Sequence, residues 1–86
     1  MPNVKRYARD ERIRQREENV QVIYDYVVAY IQQQGHSPSL DEIARGCYTS
    51  RSNVVRYLDL LEARGYLMRV HNTPRSISLS KETPRD

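Results

Sequence analysis

The sequence predicts a mainly α-helical fold with a small β-hairpin, three helices followed by two short strands. Three observations carry this. Apolar residues recur every three or four positions from Val20 to Ile31 and again from Val54 to Leu61; Gly35, Pro38, Gly46 and Gly65 punctuate the helical stretches; and beyond Gly65 the apolar period shortens to two. With 86 residues and 38% hydrophobic content, the chain is expected to fold as one small domain. So short a chain buries too little apolar surface for both a core and a large enclosed pocket, which argues against a self-contained enzyme.

Residues 1–18 are expected to form a charged N-terminal arm or helix extension. Lys5, Arg6, Arg9, Arg12, Arg14 and Arg16 interleave with Asp10, Glu11, Glu17 and Glu18, and Asp10 precedes Arg14 at a helix-supporting i,i+4 spacing. The arm admits three readings: a helix held by its own ion pairs, a DNA-contacting arm, or part of a protein interface. The first is favoured, because interleaved acids lower the local positive field. A long helix 1 follows, with Val20, Ile23, Tyr24, Val27 and Ile31 on one face and a left-handed stop at Gly35. It carries a second apolar stripe, Val22, Tyr26 and Tyr30. The ordinary explanation is packing against the hairpin or the N-terminal segment; the alternative is a homodimer seam.

Ser39 followed by Glu42 forms a capping box after Pro38 and opens a short helix 2 that buries Leu40, Ile43 and Ala44 and ends at Gly46. Residues 46–49 read as a tight turn. Thr49 or Ser50 then caps helix 3, whose inward stripe is Val54, Leu58 and Leu61 and whose stop is Gly65. Two helices joined by a short Gly-containing turn make a helix-turn-helix, and the hairpin after it, alternating through Leu67, Arg69 and His71 and again through Ile77 and Leu79, makes a wing. The domain is thus expected over residues 19–80, with a loose tail at 81–86.

The formal net charge is +3, yet residues 43–58 and 63–81 contain no acid and hold Arg45, Arg51, Arg56, Arg64, Arg69, Arg75 and Lys81. Brought onto one face, these would suit phosphates. The lone Cys47 makes no internal disulfide and is read as a small turn or core residue suited to a reducing cytoplasm. No Cys/His pair stands at zinc spacing, and no phosphate-cradling glycine loop or metalloprotease motif occurs, so no metal, cofactor, small-molecule ligand or catalytic residue is expected. The longest apolar run, residues 27–31, is far too short to span a membrane, and no export signal follows the N-terminus. A soluble, cytoplasmic protein is expected.

This constellation resembles the DNA-binding domain of the LexA repressor family. The resemblance rests on helix 1 ending in Ile31-Gln32-Gln33-Gln34-Gly35, then Pro38-Ser39 with Glu42-Ile43-Ala44, Ser50 opening helix 3, Leu58, Leu61, Arg64-Gly65, and a strand pair with Arg75, Ile77 and Leu79. It covers roughly residues 20–80 and implies a winged helix-turn-helix, bacterial nucleoid association and transcriptional repression. Two departures stand out. Similar repressors carry a second domain whose Ser/Lys dyad cleaves the linker, and self-cleavage is not expected of this chain. They also present acidic residues where this sequence has Val55 and Arg56, which implies a different operator.

In a helix-turn-helix the second helix enters the major groove with its N-terminal residues over the base edges. Arg51, Ser52, Asn53, Val55 and Arg56 are the outward candidates: arginine pairs with guanine, asparagine with adenine, serine with either, and valine packs on a thymine methyl. Ser50 heads the same group as cap. Phosphate contacts are expected from Ser39, Tyr48 and Thr49, and from a wing in which His71, Asn72 and Arg75 reach the backbone or the minor groove. The expected function is a sequence-specific double-stranded DNA-binding regulator. The alternative is a winged-helix adaptor in a larger assembly, with only weak, sequence-blind DNA affinity.

Overall fold

A single 31-residue helix, α1 (Val4–Gln34), runs from the charged segment into the core without a break at the expected boundary. The computed structural model describes residues 4–80, with side chains from Arg9 onward; residues 1–3 and the expected tail at 81–86 lie outside the described residues. Helix-favouring Arg, Glu and Gln fill the exposed part of α1, and local pairs support it, among them Arg14 with Glu11 and Gln15 with Asn19. Where α1 reaches the body, Arg64 grips both carboxylate oxygens of Glu17 at 2.7 and 2.8 Å, and the Asn19 amide donates to the Tyr57 hydroxyl at 3.1 Å. Gly35, at φ +76°, ends the helix as expected.

Helix α2 (Leu40–Gly46) opens on the capping box in full: the Glu42 amide donates to Ser39 Oγ at 3.1 Å, and the Ser39 amide donates to Glu42 Oε1 at 2.9 Å. Gly46 closes this helix for a different reason from the one its sequence position suggests. Its φ is not left-handed; a Cβ there would lie 2.2 Å from Cε2 of Tyr26, so the glycine is a seat for that ring. The left-handed residue of the turn is Tyr48, at φ +55°.

Ser50 caps helix α3 (Arg51–Ala63) by accepting from the Asn53 amide at 3.1 Å, and Gly65, at φ +83°, follows its end. Its inward face holds the expected Val54, Leu58 and Leu61, joined by Tyr57. The core unites these with Val20, Ile23 and Val27 of α1, Ile43 of α2, and Leu67 and Ile77 of the hairpin. Tyr24 and Tyr66 add an edge-on ring contact at 5.4 Å.

The hairpin pairs strands β1 (Leu67–Met68) and β2 (Ser78–Leu79) antiparallel, with Leu67 opposite Leu79 and Met68 opposite Ser78. It is shorter than the alternation predicts because side chains replace the ladder beyond Met68. Ser76 Oγ accepts from the Val70 amide at 3.0 Å and donates to the Val70 carbonyl at 2.8 Å, while Asn72 and Arg75 bend the loop at φ +63° and +55°. The Ile77 amide turns instead to Ser37 Oγ, 3.1 Å away, stitching the wing to the segment before α2. No helix among the described residues is long and apolar enough to cross a membrane.

Candidate nucleic-acid interface

Helix α3 presents Arg51, Ser52 and Arg56 fully to the outside and Val55 in part, beside the exposed Asp59. Arg51 stands 3.6 Å from Asp41 at the start of α2, a solvent-exposed ion pair. Asn53 is half-buried, and its amide donates to Thr49 Oγ1 at 3.1 Å, so it is turned toward the inter-helix turn. Ser50 and Ser39 both serve as caps. Tyr48 projects from the turn with 97% of its surface exposed. A groove of about 630 Å³ runs between α3, the start of α2 and the wing; Ser39, Arg51, Val55, Asn72 and Arg75 are among its lining residues. Of the residues singled out as DNA contacts, Ser39, Arg51, Val55, His71, Asn72 and Arg75 line this groove, Ser52 and Arg56 are exposed on α3 outside its lining, and Tyr48 and Thr49 line a smaller hollow with Asn19 and Val22 of α1 and Tyr57 of α3.

Arg75 is differently employed. Its Nη1 lies 2.8 Å from Glu42 Oε1 and donates to the Ser37 carbonyl at 3.2 Å and the Tyr30 hydroxyl at 3.3 Å. Tyr30 in turn donates to Glu42 Oε2 at 2.8 Å. Glu42 thus joins α1, α2 and the wing. The Ser39 amide above all, then the Tyr30 hydroxyl, lowers its pKa from 4.5 to about 2. Of the second apolar stripe, Tyr30 meets the wing through Arg75, and α2 through Glu42, whereas Tyr26 packs over Gly46 at the end of α2 and not against the hairpin or the N-terminal segment. Val22 remains 52% exposed.

The acid-free stretches do not make one uninterrupted positive face, because acids from other elements meet most of their arginines. Arg64 pairs with Glu17, Arg51 lies by Asp41, and Arg75 is held by Glu42. Arg69, whose side chain is only 8% exposed, bonds Asp59 and lies 3.4 Å from Glu62. Glu62 also stands 3.4 Å from His71 Nε2, an acidic neighbour that the sequence did not reveal. Among the described residues, the arginines outside any ion pair are Arg9, Arg12, Arg45 and Arg56.

Asp59, Glu62 and His71 bring ligand atoms within 4.8 Å of one another, the spacing of a metal cluster. The Arg69 guanidinium already spans the two carboxylates, so a cation would have to displace it. Cys47 is half-buried, and burial raises its thiol pKa, the opposite of a reactive thiolate. Sequence reasoning missed Ser37, Tyr57 and the Asp59–Arg69 pair as positioning groups. Their partners lie on other elements, and only Tyr57, flanking Leu58 on the inward stripe, carried a local signal.

Three helices, a turn that sets α3 beside α2, and a hairpin folded back along α3 define a winged helix-turn-helix module. The model of the LexA DNA binding domain matches residues 13–76, and the chain belongs to that family. Its match begins within the charged part of α1, earlier than the resemblance in the sequence suggested. The chain is similar to the LexA repressor of Thermosipho africanus, 37% identical over 60 residues that make up 70% of this chain and 30% of the relative. The LexA repressor of Exiguobacterium sibiricum is 36% identical over 67 residues, 77% of this chain and 33% of the relative. That of Thermosipho melanesiensis is 38% identical over 64 residues, 74% and 32%. The chain spans about a third of the length of these relatives.

Proposed function

We propose that the protein is a sequence-specific double-stranded DNA-binding transcriptional repressor that reads the major groove with the first turns of α3. The observation that carries this is the outward face of α3, where Arg51, Ser52, Val55 and Arg56 stand together, exposed or half-exposed, on a helix whose opposite side is buried. Arg56, outside any ion pair among the described residues, is the base-reading arginine. Tyr48, Thr49 and Ser39 hold phosphates, and Asn72 and His71 carry the wing to the backbone. Arg75 acts as a positioning residue that sets the wing's angle through Glu42 and Ser37. Repression follows from occupying a promoter, as the names of the similar LexA repressors suggest. The adaptor reading loses its main support, since the surplus apolar stripe is largely used within the fold.

Selection of bound sequences from a random duplex library tests the proposal. An enriched motif is expected, and Arg56→Ala should relax preference at one base pair by roughly 1–3 kcal/mol while leaving the others intact. No enrichment, with binding blind to sequence, would restore the adaptor.

A further inference from the structure

The charged half of α1 alternates acid and base in sequence, but a helix sorts them. At about 100° per residue, Arg9, Arg12 and Arg16 fall within roughly a 60° arc, while Asp10, Glu11, Glu17 and Glu18 fall on the far side. All three arginines are exposed. Arg9 and Arg12 belong to no ion pair among the described residues, and Arg16 has only a 3.8 Å approach to Glu17. On the far side Glu11 is already neutralised by Arg14, and Glu17 by Arg64.

The basic arc has a direction in the fold. Val20, Ile23 and Val27, which α1 buries in the core shared with α3, occupy the same arc two to three turns on. The arginines therefore overhang the side of α1 on which α3 lies. Arg64, at the end of α3, grips Glu17, so residues 9–16 continue beyond the point where α3 stops. Most of the arginines nearer the wing are paired with acids, which leaves Arg9 and Arg12 of this stripe, with Arg45 and Arg56, as the arginines outside any ion pair among the described residues.

We infer that Arg9, Arg12 and Arg16 form a second DNA contact, a sequence-independent clamp on the duplex backbone flanking the site that α3 reads. This rests on the DNA-binding reading above. The stripe rises about 10 Å from residue 9 to residue 16, matching roughly three phosphates of one strand at about 3.4 Å each along the helix axis. Charge complementarity selects a polyanion, and the only polyanion that α3 brings alongside is the duplex itself.

The test uses the full chain, with Arg9, Arg12 and Arg16 replaced together by Gln, a residue of similar helix propensity. Binding to the selected duplex is measured against salt, with helicity followed by circular dichroism. The slope of log affinity on log salt should become shallower by about 2 to 3, at roughly 0.9 per phosphate lost, with the preference among sequences unchanged. Shortening the duplex flank beyond the end of α3 should produce the same loss in the wild type and none in the variant. A second variant, Asp10→Asn with Glu18→Gln, should keep the wild-type slope. A folded triple variant with the wild-type slope would overturn the clamp and leave the stripe to a protein partner. Failure of the wild type to bind any duplex would overturn the DNA reading itself, and the clamp with it.

Discussion

Gly46 and Tyr48 stand two residues apart in the turn that sets α3 against α2, and each is constrained by something the other lacks. Gly46 has ordinary helical backbone but no room, since a Cβ would sit 2.2 Å from the Tyr26 ring. Gly46→Ala should destabilise the fold by roughly 1–3 kcal/mol in urea unfolding, and most of that loss should vanish in a Tyr26→Leu background, where the ring is gone. Tyr48 has room on every side but an unfavourable backbone, φ +55° with 97% of its surface exposed. Tyr48→Gly removes no packing and relieves a left-handed conformation that costs a non-glycine residue about 1–2 kcal/mol, partly offset by glycine's greater freedom when unfolded. The variant is expected to be as stable as wild type or slightly more so, and to bind DNA several-fold more weakly; unchanged affinity would remove Tyr48 from the interface. The sequence revealed that a turn lay here because Gly, Thr and Ser cluster. It did not show why Gly46 is glycine, because the reason is a ring on another helix.

Among elements, the capping box of α2 was legible because its two partners are three residues apart. The use of the same Glu42 carboxylate by Tyr30 and by Arg75 of the wing was not, because those partners meet only through tertiary folding. The strands were legible in period and register face, but their length was not, since Ser76 and Ser37 take over the hydrogen bonds that a longer ladder would make. The Glu42 hub has a pH signature. Its pKa falls from 4.5 to about 2 on folding, so its stabilisation is complete above pH 4.5 and is lost as pH falls toward 2. Wild type should therefore exceed Glu42→Gln in unfolding midpoint at neutral pH and converge with it across that window; a gap that persists at pH 2 would place the effect elsewhere. The same hub separates two roles for the wing arginine. If Arg75 positions the wing, Arg75→Ala and Glu42→Gln lower DNA affinity by similar factors and leave the salt slope nearly unchanged, whereas a direct phosphate contact would reduce the slope by about 1 for Arg75→Ala alone.

At the scale of the molecule, the described chain measures 52 × 29 × 23 Å, elongated because α1 runs on past the body. On its helix-1 surface Tyr26 and Tyr30 are engaged within the protomer, and Val22 is the one stripe member more than half exposed. Charging Tyr26 or Tyr30 would thus report on folding, and Val22→Glu is the variant that reports on association. Pairing of two copies is instead expected on DNA, where a two-fold operator places half-sites about 10–10.5 base pairs apart, or a multiple of that. Sedimentation should give monomers for wild type and Val22→Glu alike, while titration of a symmetric duplex should saturate at two copies. Inserting about five base pairs between half-sites turns one to the opposite side of the helix, so any cooperativity between the copies should be lost with each single-site affinity retained. A motif without internal symmetry, saturating at one copy, would show that one winged helix reads its site alone.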